Sequence, residues 1–463
     1  MISSSLKRIS LVGNLYLIVY AVFAAIFYKE RIFLDGSYYF FWVAQNETFH
    51  IEHQRYILAA SQLLAVIGTK LNVSLNTLLI LNSLNPIIYL WILFLLSVYW
   101  LKHEGIAWCL LLSSVCGIYF IYFIPMYEVW YGCVLLIFFA GILEKKIYLT
   151  LQQQIIFALL LVTLLFSYPL IFIGVIYFSV AHFLKEKKMP RMIVAIYFFS
   201  FAVWLLWKYF FISDYEEGKI EYPLSEEGSI LSQNFTSAGN IWQWIVFLFR
   251  IYSEEMIALI IAVAILFRRK EKLQAALLIA TFVGFLLLIS FFHVHPWTHT
   301  NYFERMYLLL IPLCLVPFFQ NVYTQIKMKT AVALIAVALI FLRGNQIIAH
   351  ASDYRTHVNE LESLITKCNQ EQGSKFTVDF SKHPELSSLD EWSLPMEALI
   401  FSSLNSNQHS VTISWKADVE IPDISKRLDE NKFRLRLDEI YPDDWLNKKY
   451  FNLQPGNYSE LIY

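Results

Sequence analysis

Long uncharged apolar segments recur through the first 342 residues and restrict the fold more than any other feature. Residues 273–292, for example, contain no charged side chain, and an apolar helix of about 20 residues is long enough to cross a bilayer. The whole chain is 57% hydrophobic and 16% charged, against roughly 45–50% and 25% in soluble domains. The charged residues concentrate after Arg343. The sequence therefore predicts a membrane-embedded body followed by a water-soluble tail.

The apolar pattern predicts eleven membrane-spanning helices. Residues 9–27 form the first, an uncleaved span, because no small-residue cleavage site follows them. Residues 152–184 are interrupted at Ser167, Tyr168 and Pro169, so we expect a hairpin of two short spans. The other eight cover residues 77–101, 106–124, 129–143, 192–212, 254–268, 273–292, 305–319 and 330–348. Lys and Arg collect in the loops on one side, which predicts a cytoplasmic N-terminus and an outer C-terminus.

The first outer loop, residues 29–76, contains an aromatic run from Tyr38 to Trp42 and an uncharged segment over residues 56–69. That segment would rise only about 21 Å as a helix, too little to cross the roughly 30 Å hydrocarbon core. We therefore predict two helices that lie in the lipid headgroup layer. The membrane body covers residues 1–348. Residues 349–463 form a small outer α/β domain, with a helix over residues 346–368 and strands over residues 375–379, 410–415 and 433–437.

Ionisable side chains collect where the predicted spans meet the outer face. The candidate site residues are Asp35, Glu52, His53 and Arg55 in the first outer loop, Glu128 at a hairpin tip, Arg250 after an acidic segment, and His299, Glu304 and Arg305 around the start of a later span. The histidines near residue 299 do not have the spacing of a zinc ligand set, so no metal site is predicted. The net charge is −1 and no long basic stretch is present, so nucleic-acid binding is not expected.

Taken together, these features resemble the GT-C superfamily of integral-membrane glycosyltransferases. The shared features are an odd span count with the C-terminus outside, a long first outer loop with an acidic residue just after the first span, short hairpin spans and an outer C-terminal domain. The resemblance is architectural and covers about residues 1–350. It implies an all-α polytopic fold, a polyprenyl-phosphate-linked sugar as donor, and a catalytic role for Asp35. Many family members have an Asp-Glu or Asp-x-Asp pair at this position, whereas this chain has Asp35-Gly36-Ser37. A divalent cation is therefore left open, and no other cofactor is expected.

The chemistry of sugar transfer suggests a role for each candidate. A carboxylate must take the proton of the acceptor hydroxyl, and Asp35 is assigned that role. Cations must hold the departing phosphate, and the planar fork of arginine suits this task. The residues assigned to substrate binding are Arg55, Glu52, His53, Glu128, Arg250, His299, Glu304 and Arg305. Simpler roles stay open: Asp35 as the N-cap of a helix that starts at Ser37, and the others as headgroup anchors or solvated loop residues.

The leading hypothesis is an inverting glycosyltransferase at the outer face of a bacterial inner membrane, with a glycan, lipid or protein as acceptor. A glycan polymerase or ligase is the nearest alternative, although such enzymes usually lack an acidic residue after the first span. A lipid or solute transporter is an alternative of another class. It is disfavoured because the charged residues lie at the membrane edge, and no pair of broken spans suggests an inverted repeat. A scaffold with an outer binding domain is the last alternative.

Overall fold

A computed structural model describes residues 3–125, 128–187, 189–213, 216–218, 238–292, 300–323, 329–371, 373–383, 386, 388–404 and 409–461. The fold is mostly helical, at 70%, with a small sheet region near the C-terminus. The helices up to the tail are α1 Ser4–Ile26, α2 Asp35–Asn46, α3 Leu58–Lys70, α4 Leu75–Leu95, α5 Glu104–Leu112, α6 Glu128–Glu144, α7 Leu151–Leu165, α8 Ile171–Glu186, α9 Arg191–Phe211, α10 Ala238–Ile251, α11 Ser253–Arg268, α12 Lys272–Phe292, α13 Thr300–Tyr307, α14 Leu310–Asn321 and α15 Lys329–Ala349.

The tail continues with helices and short strands. In chain order these are α16 Ala351–Cys368, β1 Lys375–Val378, α17 Leu394–Ser403, β2 Thr412–Trp415, α18 Lys416–Val419, α19 Pro422–Ser425, β3 Lys432–Arg436, β4 Glu439–Pro442 and β5 Ser459–Glu460. Strand β1 lies between β2 and β5 in a parallel sheet, with Phe376 opposite Ile413. Strands β3 and β4 form an antiparallel hairpin. The predicted tail helix and three strands correspond to α16, β1, β2 and β3.

Five helices in the described part of the chain are long and apolar enough to cross a membrane. They are Ser4–Ile26, Leu75–Trp100, Arg191–Phe211, Lys272–Ser290 and Lys329–Cys368. The last is one long helix that contains α15 and α16, with its apolar part in α15. These five coincide with predicted spans and support a membrane protein.

The predicted count of eleven spans is not supported. The other six predicted spans appear as helices of 9 to 17 residues, about 14–26 Å long at 1.5 Å per residue. The prediction of one helix over residues 106–124 is wrong, because α5 ends at Leu112. The hydroxyl groups of Ser113 and Ser114 donate to carbonyls three residues earlier, and Gly117 follows with φ +64°, which together end the helical ladder.

Helix α6 lies at the centre of the helical body. Its residues are buried from Glu128 to Leu143, and it packs against α5, α7, α8 and α14. A helix that is hydrophobic all round is stable only when other elements surround it, and the sequence of α6 is apolar on every face. Its first residue, Glu128, therefore lies in the interior of the protein.

The first loop and the C-terminal segment, residues 349–463, share one hydrophobic core. The rings of Tyr38, Tyr39, Phe40 and Phe41 on α2 are buried in the same cluster as residues of α16, α17 and β1 to β3. The amide of Gln45 donates to the Trp445 carbonyl at 2.6 Å. The prediction that the aromatic run lies among lipid headgroups is wrong. These rings pack under the C-terminal segment instead, because that position removes them from water more completely.

Candidate active site

Asp35 is the first residue of α2 and follows a strained peptide. Leu34 has φ 51° and ψ −119°, a combination that is unfavourable for any residue with a Cβ atom. The Leu34 N–H donates to Glu397 Oε1 at 3.3 Å, and the Ser37 hydroxyl donates to the Leu34 carbonyl at 2.6 Å. Asp35 is not the N-cap residue, and its carboxylate points to a residue far away in the chain.

That distant residue is Arg305, whose Nη1 donates to Asp35 Oδ2. The Arg305 side chain is 11% exposed and that of Asp35 is 32% exposed. The guanidinium is thus largely buried, while the carboxylate keeps an accessible edge. The pair presents a fixed, charged acceptor of hydrogen bonds to the surroundings.

Glu304 has a different position from the one the sequence predicted. Its side chain is buried, at 1% exposure, and its carboxylate accepts hydrogen bonds from three successive backbone N–H groups, those of Tyr119, Phe120 and Ile121. A carboxylate held by several N–H groups is a fixed structural element. Glu304 therefore joins α13 to the segment after α5, next to Arg305. Because its carboxylate is buried and bound to backbone N–H groups, Glu304 is not available to a substrate.

The C-terminal segment holds the peptide before Asp35 through a buried pair. His357 Nε2 lies 2.7 Å from Glu397 Oε2, and His357 Nδ1 lies 2.9 Å from the Ser388 carbonyl. The two side chains are 4% and 0% exposed. Since both neighbours of the ring are hydrogen-bond acceptors, the contacts favour an imidazole that carries a proton on each nitrogen. The other oxygen of Glu397 receives the Leu34 N–H, so α16 and α17 determine the conformation at the start of α2.

Arg55 and Glu128, two further candidates, form a second ion pair. Their side chains are 10% and 5% exposed. Arg55 Nε lies 3.8 Å from Glu216 Oε1, Lys208 contacts the other oxygen of Glu216, and Arg55 stacks on the Tyr168 ring at 4.6 Å. Two cations thus balance two carboxylates. The expectation that Glu128 is a solvated hairpin tip is wrong, and the charge of Arg55 is already neutralised within the protein.

Tyr39 is close to charged members of both ion pairs and was not selected from the sequence. It is 6% exposed, and burial, together with the nearby carboxylates of Glu128, Glu52 and Asp35, raises the pKa of Tyr39 well above its ordinary value. Its hydroxyl donates to Glu52 Oε2 at 3.4 Å. Tyr39 therefore stays neutral and acts as a hydrogen-bond donor to Glu52. In the sequence, Tyr39 stands out only as part of the aromatic run, and that run does not indicate a position beside carboxylates.

Glu52 faces the C-terminal segment. It accepts a hydrogen bond from the Tyr38 hydroxyl, with His50 Nε2 at 3.5 Å and Arg436 Nη2 at 3.8 Å. Burial opposes ionisation, but the hydrogen bonds from His50 and Tyr38 lower the pKa of Glu52 to about 2. His53 lies beside it, with Nε2 at 4.0 Å from Glu52 Oε2. The structure thus brings Glu52 and His53 together in a junction between the first loop and the tail.

The remaining candidates are not joined to this site. Arg250 is exposed near the end of α10, and no contact found in the described ranges connects it to Asp35 or Arg55. His299 lies outside the described residues. Within the residues that the structure covers, no group of three or more His, Cys, Asp or Glu side chains is arranged to hold a metal ion.

Comparison with protein-family profiles, with curated proteins and with solved structures finds no match for this chain. Its functional interpretation therefore depends on its own residues and their arrangement.

Proposed function

We propose that the protein is a membrane glycosyltransferase that moves a sugar from a polyprenyl-phosphate donor to a glycan, lipid or protein acceptor. The observation that carries this proposal is the Asp35 carboxylate, which is one-third exposed and held by the largely buried Arg305. Glu128 and Glu304 are buried, and Glu52, at 22% exposure, is held by the side chains of Tyr38, His50 and Arg436. Asp35 is therefore the acidic candidate best suited to meet a substrate.

The reaction assigns a defined step to Asp35. Its carboxylate accepts the proton of the acceptor hydroxyl while that oxygen attacks the anomeric carbon of the sugar. The bond from the anomeric carbon to the phosphate oxygen breaks, and the polyprenyl phosphate leaves with the bonding electrons. Attack from the side opposite to the phosphate inverts the anomeric configuration. Arg305 orients the Asp35 carboxylate for this step through its hydrogen bond to Oδ2.

The proposal places the chain in a bacterial inner membrane, with the first loop and the C-terminal segment on the outer side. The excess of Lys and Arg in the loops on one side of the eleven predicted spans supports this orientation. The chemistry requires only that Asp35 lies near the membrane surface, at the level of a lipid phosphate. The five long apolar helices support a location in a membrane.

The test compares Asp35→Asn with the unchanged chain in a strain that lacks its own copy of the gene. Surface glycans and lipid-linked sugars are measured by mass spectrometry at equal membrane levels of protein. Loss of a positioned general base costs about 10²–10⁴ in rate, so we expect one sugar to disappear from the glycans and its lipid-linked donor to accumulate.

Asp423→Asn is the matched control, because Asp423 is an exposed aspartate of α19 and should leave both profiles unchanged. If Asp35→Asn also leaves both profiles unchanged, Asp35 is not the base and the glycosyltransferase proposal fails. A transporter or a scaffold would then explain the chain better.

A further inference from the structure

The C-terminal segment contacts both residues that precede Asp35. The Phe33 ring lies edge-on to the His357 ring, with 5.0 Å between their centroids. The Leu34 N–H donates to Glu397 Oε1 at 3.3 Å. Two side chains of the C-terminal segment therefore fix the direction in which α2 begins, and Asp35 is the first residue of that helix.

The backbone of Leu34 needs support from outside the first loop. Its φ of 51° and ψ of −119° are unfavourable for a residue with a Cβ atom and persist only where the surrounding structure imposes them. The Ser37 hydroxyl donates to the Leu34 carbonyl, but Ser37 belongs to α2 and moves with it. Glu397 lies on α17, so it joins this peptide to a separate part of the fold. Without that contact, Leu34 would relax and Asp35 would turn away from Arg305.

The position of Glu397 depends in turn on the protons of His357. His357 Nε2 lies 2.7 Å from Glu397 Oε2, and His357 Nδ1 lies 2.9 Å from the Ser388 carbonyl. Both neighbours accept hydrogen bonds, so both bonds exist together only when each ring nitrogen carries a proton. A ring with one proton places a lone pair against one of the two oxygens and loses that bond. The ring with two protons therefore holds Glu397 more firmly.

The side chains around His357 are mainly acidic. The charged groups close to the ring are the carboxylates of Glu360 on α16, Asp390 just before α17, and Glu397. The 3₁₀ helix Glu30–Ile32, between α1 and α2, also packs against α16, and its Glu30 is paired with Arg355. Of the three carboxylates close to the ring, Glu397 is the one that contacts both His357 and the peptide before Asp35.

We propose that Glu397 is a positioning residue for Asp35, and that the protons on His357 control how firmly it acts. With both ring nitrogens protonated, Glu397 holds Leu34, and the Asp35 carboxylate stays beside Arg305. When the ring loses one proton, this hold weakens and Asp35 can leave Arg305. As regulation of the Asp35 site, this inference rests on the proposed function, and it gives the C-terminal segment a part in controlling that site.

Hydrogen exchange at residues 34–36 of the purified full chain tests the proposal without a substrate. In the unchanged chain, protection should fall about tenfold as the pH rises and His357 loses a proton, after correction for the intrinsic exchange rate, because a charge-assisted hydrogen bond is lost. Glu397→Gln should reverse this dependence. Its amide offers one oxygen to the Leu34 N–H and one NH₂ group to a neutral His357 Nε2, and protonation of the ring at low pH breaks that arrangement.

A second substitution and a matched control complete the test. Glu397→Ala should raise exchange at residues 34–36 at every pH. Asp418→Ala removes the partner of the buried Arg434 elsewhere in the C-terminal segment and should leave that exchange unchanged. If Glu397→Ala does not fold, Glu397→Gln still decides. The proposal is overturned if protection in the unchanged chain does not depend on pH, if Glu397→Gln keeps the same direction, or if Asp418→Ala acts like Glu397→Ala.

Glycan profiles in cells separate this inference from the proposed reaction. We expect Glu397→Ala to lower the amount of transferred sugar, because misplacement of a catalytic group slows a reaction strongly. If Asp35→Asn abolishes transfer but Glu397→Ala keeps full transfer at equal membrane levels, Glu397 does not position Asp35 and the inference fails. If exchange behaves as expected but Asp35→Asn leaves the glycans unchanged, the hold of Glu397 on Leu34 stands and the glycosyltransferase proposal fails.

Discussion

The two ion pairs of the candidate site contain the same kinds of groups but differ in accessibility. Asp35 is 32% exposed beside Arg305, whereas Glu128 is 5% exposed beside Arg55. Asp35 lies at the start of a helix in the first loop, while Glu128 begins α6, which other helices surround on all sides. The comparison teaches that burial, and not residue type, separates a carboxylate that can meet a substrate from one that holds the fold together.

The largest expected effect comes from breaking the buried pair. Arg55→Ala leaves Glu128 without its cation in the interior, and loss of one partner of a buried pair costs about 3–5 kcal/mol of the free energy of unfolding. Arg305→Ala should cost much less, about 1 kcal/mol or below, because the Asp35 carboxylate that it leaves behind is 32% exposed and therefore partly solvated. Thermal unfolding of both variants in the same detergent measures the difference. Equal destabilisation by the two substitutions would remove the proposed distinction between the pairs.

The next effect concerns the strained peptide beside Asp35. Glycine adopts positive φ without steric cost, so Leu34→Gly should keep the free energy of unfolding within about 1 kcal/mol of the unchanged chain, as relief of strain offsets the loss of the side chain. Leu34→Val should be less stable than Leu34→Gly by about 1–3 kcal/mol, because a branched Cβ is disfavoured at positive φ.

Thermal unfolding of the two Leu34 variants, with hydrogen exchange at residues 34–36, tests this expectation. If Leu34→Val is the more stable of the two, the backbone at this position is not strained, and Glu397 does not need to hold it.

A further expected effect is a dependence on pH at the junction with the tail. The pKa of Glu52 is lowered from 4.5 to about 2, so Glu52 stabilises the folded state fully above about pH 4.5. That contribution is lost as the pH falls from about 4.5 towards 2. In the Glu52→Gln variant this contribution is absent at every pH. The difference in unfolding temperature between the unchanged chain and the variant should therefore become smaller below about pH 4.

Asp438→Asn serves as the comparison for Glu52→Gln, because Asp438 is exposed and should give no such change. If the difference in unfolding temperature between the unchanged chain and Glu52→Gln stays constant with pH, Glu52 does not carry a stabilising charge. The comparison of carboxylates would then depend on Asp35 and Glu128 alone.

Sequence patterns predicted the helices that local composition determines. The break at Pro169 separates α7 from α8 as expected, and most of residues 56–69 lies in the helix α3. The end of α5 at Leu112 was missed, because the side chains of Ser113 and Ser114 compete for backbone carbonyls in a way that hydrophobic periodicity does not report. The count of eleven spans is not supported for a related reason, since short apolar helices buried by their neighbours resemble membrane spans in composition.

The partners within the site were beyond sequence reasoning. Asp35 and Arg305 are 270 residues apart, and Arg55 and Glu128 are 73 apart. Leu34 and Glu397 are separated by 363 residues. No periodicity links such positions, so the sequence identified the candidate residues but not which of them pair or which are buried.

By itself, the sequence determined the apolar helical body, the charged tail and the places where ionisable residues concentrate. These properties follow from composition and from the spacing of residues that are near one another in the chain, because the transfer of apolar groups from water does not depend on a particular partner. Tertiary structure alone decided that the aromatic run of α2 lies beneath the C-terminal segment, that Glu128 is buried, and that Asp35 keeps an exposed edge. Burial and charge pairing depend on which distant segments meet, and only the folded chain brings those segments together.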